Sequence, residues 1–95
     1  MEKIFHVYLM ASKSGVLYVG VTSNLLRRVY EHKEKKLEGF TERYNVNKLV
    51  WYELHDTSAS AFPRETQIKA WRRSKKVALI DARNPKWEDL TAELH

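Results

Sequence analysis

Ile4-Phe5-His6-Val7-Tyr8-Leu9-Met10, Ser12-Lys13-Ser14-Gly15 and Val16-Leu17-Tyr18-Val19-Gly20-Val21 decide how this chain folds. The first run is rich in β-branched, aromatic and long apolar residues, which suits a strand covered on at least one face. The small polar cluster that follows is a turn. The third run is a second short strand, so the pair is expected as an antiparallel hairpin. If it closes at Lys13 and Ser14, residues whose numbers sum to about 27 lie opposite each other, which makes Tyr8 and Tyr18 near cross-strand neighbours.

Beyond the hairpin, Thr22-Ser23-Asn24 supplies helix N-cap chemistry. From Leu25 the period becomes helical. Leu26, Val29, Tyr30, Lys33 and Leu37 form one stripe, and Gly39 is expected to end the helix. Lys48 to Leu54 (KLVWYEL) predicts a third strand, and Asp56 to Ser60 a polar connection. Pro63 fits the first turn of a second helix, with Ile68 and Trp71 giving apolar spacing through Arg73. Val77 to Ala82 predicts a short apolar helix, broken at Asn84-Pro85, with Trp87 and Leu90 packing the C-terminal segment back. The order β-β-α-β-α-α predicts one α+β domain over residues 1–95, a small three-stranded antiparallel sheet flanked by helices. The order of the strands in the sheet does not follow from this reading.

The chain has 95 residues, 17 Lys and Arg against 12 Asp and Glu, and a formal net charge of +5. At 43% hydrophobic it is too apolar for a disordered chain. No apolar run approaches the roughly 20 residues of a membrane span. The N-terminus lacks a hydrophobic signal core, so secretion is not expected. The absence of cysteine excludes disulfides, zinc–thiolate sites and a thiol nucleophile, and agrees with a reducing, cytoplasmic setting. The charge is uneven. Between Arg64 and Lys76 stand Arg64, Lys69, Arg72, Arg73, Lys75 and Lys76 against one acid, Glu65, and the rest of the chain is neutral. A smaller excess runs from Arg27 to Lys36. Such segments fit a polyanionic partner, although a basic run is also an ordinary solvated face.

Three constellations could carry chemistry. Tyr8 and Tyr18 are one, although paired strand tyrosines are ordinarily structural. Arg28 and His32, spaced i, i+4, lie on one face of the first helix, off the apolar stripe, close to the end of the strand bearing Tyr18. The plain alternative is a surface Arg and a surface His. Glu65 has Lys69 four residues on, which is ordinary helix support. A lone carboxylate among cations can also hold one hard divalent ion while the cations hold phosphates.

The triplets Val7-Tyr8-Leu9 and Tyr18-Val19-Gly20, followed by Thr22, Leu25, Arg28 and His32, resemble the GIY-YIG nuclease superfamily. Tyr44, the strand from Lys48, the helix Arg64 to Trp71 and the ending Asn84 to Leu90 resemble its small, stand-alone bacterial branch. Two positions depart. Val7 replaces the first Gly of the first triplet, and Val21 stands where repair-excinuclease members carry a Lys.

The resemblance implies a divalent-metal-dependent endonuclease acting on DNA in repair or processing, structure-selective or weakly specific. By the same resemblance, Tyr8, Tyr18, Arg28, His32 and Glu65 are the catalytic set. Glu65 would hold one Mg²⁺ or Mn²⁺ against the leaving 3′-oxygen, and Arg28 would clamp the phosphate. Tyr8 would orient or deprotonate the water, and to act as a base it would need nearby cations to favour its phenolate. Tyr18 and His32 would support that geometry. Tyr44 and Lys69 match accessory positions, and Asn84 matches a polar position after the glutamate. Lys69, Arg72, Arg73, Lys75 and Lys76 would track a nucleic-acid backbone and Tyr44 would stack on bases. DNA is expected ahead of RNA, the chain as a monomer or weak dimer without a membrane, with room for a protein recruiter. The competing readings are a nucleic-acid-binding module that no longer cuts, and an interaction domain whose basic helix meets an acidic protein.

Overall fold

The computed structural model describes residues 3–34 and 44–95. Strands β1 (Phe5–Ala11) and β2 (Leu17–Thr22) are followed by helix α1 (Leu25–Lys33), strand β3 (Lys48–His55), helices α2 (Ser58–Ala70) and α3 (Arg73–Arg83), and a 3₁₀ turn at Leu90–Leu94. The three antiparallel strands form one sheet in the order β2-β1-β3, which the sequence left open. The expected α+β architecture is therefore observed. Leu37 and Gly39, placed on the first helix by its period, lie outside the described residues.

The sheet has helices on both faces, and strand alternation sorts its residues between them. Val7, Leu9, Ala11 and Val19 pack against Ala61 and Ile68 of α2 and Ile80 of α3. Tyr8, Met10 and Leu49 pack against Leu25 and Val29 of α1. Trp87 closes the first layer and Leu90 the second, so the C-terminal segment does pack back.

The hairpin register sums to 28, not 27. Tyr8 stands opposite Gly20, Tyr18 opposite Met10, and the two tyrosines are diagonal neighbours on one face. The turn sets this. The backbone N–H groups of Gly15 and Ser12 donate to the carbonyls of Ser12 and Val16 at 3.0 and 2.9 Å, and Gly15 takes φ +91°.

Helix α2 starts earlier than its sequence suggests. Thr57 caps it, accepting from the Ser60 backbone N–H at 3.2 Å, so the expected polar connection is the first turn and Pro63 lies inside the helix. The chain breaks at Trp71 and Arg72, both extended, and α3 begins at Arg73 instead of Val77. The basic tract thus turns a helix corner. Asn84 ends α3 as expected. It is buried and fully engaged with the fold: Nδ2 donates to the carbonyls of Val50 (3.1 Å) and Glu88 (2.9 Å), and Oδ1 accepts from the Glu88 N–H at 3.0 Å. Val50 is the extra residue of a bulge between the Leu9–Trp51 and Met10–Leu49 pairs. With Arg83 Nη1 on the Tyr52 carbonyl at 2.6 Å and Asp89 on the Leu49 N–H at 3.4 Å, the C-terminal segment occupies backbone groups along β3, an edge strand.

Candidate active site

Asn24 starts α1 by accepting from the Arg27 backbone N–H at 3.1 Å, and it sits two residues after β2 ends. That short tether lays α1 over the tyrosine face of the hairpin. The buried positions of α1 are Leu25, Val29 and His32, while Tyr30 is exposed. The apolar stripe is therefore rotated from the expected one, and His32 lies within it. His32 is 1% exposed, and its Nε2 stands 2.9 Å from the Tyr8 hydroxyl. Its ring meets Tyr8 at 5.7 Å and Tyr18 at 4.9 Å between centroids, both edge-on, and the two tyrosine rings lie 6.2 Å apart.

Gly20 makes this triangle possible. A Cβ there would stand 2.7 Å from Tyr8 Cε1 and closer still to Cζ and the hydroxyl. The phenol lies across the bare backbone of β2 and reaches His32. Sequence reading named Gly20 as part of a motif but missed this role, because the contact depends on the register.

Burial, reinforced by Tyr18, Glu31 and Glu65, drives the Tyr8 pKa well above its ordinary value of 10.0, and the Arg28 charge only partly offsets this. The condition for Tyr8 to act as a base, cations that favour its phenolate, is therefore not met, because burial outweighs the single cation acting on it. His32 is pushed down to about 4, mainly by burial and then by Arg28, so it is neutral at pH 7. Its buried Nδ1 has no hydrogen-bond partner. An orphaned buried N–H is the rarer arrangement, so the network assigns the ring hydrogen to Nε2, which donates to the Tyr8 oxygen.

Arg28 is partly exposed and held by Glu31 at 3.2 Å, an i, i+3 pair that sequence reading did not single out. Glu65 comes from α2, on the other face of the sheet, yet its charge reaches the Tyr8 phenol. Its Oε2 pairs with Lys69 at 3.2 Å, while Oε1 has no hydrogen-bond partner among the described residues. Lys69 and Lys76 line a cleft of about 290 Å³ with Leu17, Tyr18 and Val19 along β2, the other edge strand. The other four predicted catalytic residues thus act on Tyr8: Tyr18 and His32 by ring contact, Arg28 and Glu65 by charge. Lys69 and Lys76 line a cleft shared with Tyr18.

The remaining expected nucleic-acid contacts are spread differently. Arg73 Nη1 donates to the Gly15 carbonyl at 2.7 Å and holds the hairpin turn. The Lys75 ammonium sits 4.3 Å from the centre of the Trp71 ring. Arg72 caps the corner into α3, and exposed Tyr44 precedes Asn45 on the way into β3.

No group of three or more His, Cys, Asp or Glu could hold a metal among the described residues. Glu65 is the carboxylate at this site. One hard oxygen ligand suits Mg²⁺ or Mn²⁺, which complete their shells with water and substrate phosphate, and the unpartnered Oε1 is available for that purpose.

A sheet with helices on both faces, two tyrosines on a hairpin, an Arg and a His on the next helix and a Glu on the helix across the sheet agree with the nuclease superfamily that the sequence resembles. The chain belongs to the GIY-YIG family: the GIY-YIG catalytic domain matches residues 4–78. Its relatives include a UPF0213 protein of Staphylococcus saprophyticus, 32% identical over 79% of this chain and 92% of that protein. A UPF0213 protein of Clostridium perfringens is 31% identical over 95% and 97%. The solution NMR structure of the UPF0213 protein BH0048 from Bacillus halodurans superimposes with a TM-score of 0.59 at 26% identity, covering 93% of this chain and 94% of that one.

Proposed function

We propose that this protein is a divalent-metal-dependent endonuclease that hydrolyses phosphodiester bonds in DNA, selecting structure rather than sequence. The observation that carries the proposal is that the charge of Glu65, on the helix that packs on one face of the sheet, is felt by the Tyr8 phenol, which pairs with His32 on the other. Hydrolysis needs an oriented water, stabilisation of the crowded phosphate and help for the leaving oxygen. Arg28, partly exposed and acting on the phenol by its charge, would bind the phosphate and offset its developing charge. The Tyr8 oxygen, fixed by His32, has a remaining lone pair to accept a hydrogen bond from the attacking water. As a neutral phenol Tyr8 orients the water but does not take its proton, which would pass to solvent or to a phosphate oxygen of the substrate. Tyr18 packs on the His32 ring and keeps it aligned. Glu65 would hold a Mg²⁺ or Mn²⁺ ion, which would supply Lewis-acid stabilisation to the phosphate and the leaving oxygen.

The lack of sequence preference in this reading follows from the cations. Lys69, Lys76 and Arg72 are ammonium and guanidinium groups suited to backbone phosphates, which position a strand without reading its sequence. The first turn of α3 carries Arg73, Lys75 and Lys76 and no acid, against the sense its dipole favours. A phosphate backbone would relieve that excess.

A non-catalytic binding module on the same fold is favoured by two observations, the protonated Tyr8 and the Glu65–Lys69 pair. The test incubates labelled single-stranded, duplex and forked DNAs and RNAs with the protein in Mg²⁺, Mn²⁺ or chelator. Metal-dependent cuts, strongest on a DNA with unpaired or branched strands, support the endonuclease. Binding without cuts in any metal supports the module.

A further inference from the structure

Two adjoining clefts open where the hairpin turn meets the start of β3. The larger, about 400 Å³, is lined by Lys13, Asn45, Asn47 and Lys48. The second, about 300 Å³, shares Asn47 and Lys48 and adds Lys33 and Asp89. Lys33 is neutralised by its ion pair with Asp89. Among the described residues, Lys13 and Lys48 carry no ion pair and no acid lines the larger cleft.

The fold itself brings the two ammonium groups together. Lys48 pairs across the sheet with Ala11, and Lys13 follows two residues later at the turn. Two uncompensated like charges at one cleft repel, which an anion bound between them would reverse. Asn45 and Asn47 add carboxamide N–H donors beside them. The same turn is gripped from the other side by Arg73, on the Gly15 carbonyl, and Lys76 of that helix lines the cleft beside Tyr18. Positive charge therefore continues from the candidate active site around the hairpin turn to Lys48.

We propose that the Lys13–Asn47–Lys48 cleft is a phosphate-backbone subsite that holds the nucleic acid where it runs past the hairpin turn. The proposal rests on the nuclease reading and extends its substrate contacts beyond the catalytic residues. A strand suits the site better than a small anion, because its cations belong to a series spaced along the molecule.

The experiment measures binding of a fluorescent single-stranded oligonucleotide by anisotropy, in chelator, as a function of salt. Lys13→Ala with Lys48→Ala should weaken binding on the order of tenfold near 0.1 M salt and flatten the log–log salt slope by about 1.4, at about 0.7 for each lost phosphate contact. Lys3→Ala with Lys86→Ala removes the same charge elsewhere and should leave the slope in place. A Lys13/Lys48 variant that binds with the wild-type slope, or no more weakly than the Lys3/Lys86 variant, overturns the subsite alone. Poly-glutamate that competes as well as an oligonucleotide of equal charge makes an acidic protein the occupant and also overturns it. Wild-type protein that binds no oligonucleotide overturns the nuclease reading and the subsite with it.

Discussion

The Tyr8 ring lies directly against the backbone of Gly20, its cross-strand partner, with no room for a Cβ between them. Buried Tyr8 is the hinge of the site: it touches His32, packs near Tyr18 and feels the charges of Arg28 and Glu65. Gly20→Ala should therefore displace the phenol, break the 2.9 Å contact to His32 and destabilise the fold by about 1–3 kcal/mol, the usual cost of overpacking. The check is a double-mutant cycle by chemical denaturation. Gly20→Ala should cost much less in a Tyr8→Ala background, and additive effects would mean the ring does not depend on that glycine.

Tyr8→Phe keeps the ring and removes the hydroxyl. It leaves His32 buried with neither ring nitrogen partnered, which should cost about 1–3 kcal/mol. Phosphodiester cleavage should fall far more than the folded fraction. Denaturation midpoints beside single-turnover rates separate the two effects.

The neutral, buried His32 predicts how stability follows pH. Its folded pKa of about 4 lies below the ordinary 6.5, so between those values the unfolded chain binds the proton that the folded one refuses. The contribution is fully present above about pH 6.5 and lost as pH falls toward 4, at most about 3 kcal/mol. His6, lowered by burial and by His55, acts in the same sense. His32→Gln should flatten the fall between pH 6.5 and 4, read from urea midpoints across that range. An unchanged slope would mean that His32 titrates normally in the folded protein.

Asn84 is expected to act on the fold and not on the reaction. Asn84→Ala removes its hydrogen bonds to Val50 and Glu88 and deprives the buried Val50 carbonyl of its side-chain donor. The loss should be about 2–4 kcal/mol, with cleavage per folded molecule unchanged. A variant of wild-type stability that no longer cuts would put Asn84 in the chemistry.

Much of this was legible in the residues. The three strands stand out because β-branched and aromatic runs are bounded by turn chemistry, as at Ser12 to Gly15. The strand order is not written locally, since it depends on which partner the face of β1 selects. Helix α2 hid its start because Ser58-Ala59-Ser60 has no apolar period, and only the Thr57 cap reveals it. The Trp71–Arg72 corner hid inside a charge run whose residues suit either a helix or a turn. Of the site, the resemblance supplied Tyr8, Tyr18, Arg28, His32 and Glu65. It could not supply the one-residue register difference that sets Tyr8 on Gly20, nor the rotation of α1 that buries His32.

The central claim is tested most directly by single-turnover cleavage of a labelled forked DNA in Mn²⁺ by the wild-type protein and by Glu65→Gln, with folding and chelator-state DNA binding measured on the same samples. The account predicts cuts by the wild-type chain, loss of at least about a hundredfold in rate in the variant, and DNA binding retained in both. A Glu65→Gln protein that cuts at the wild-type rate would contradict it.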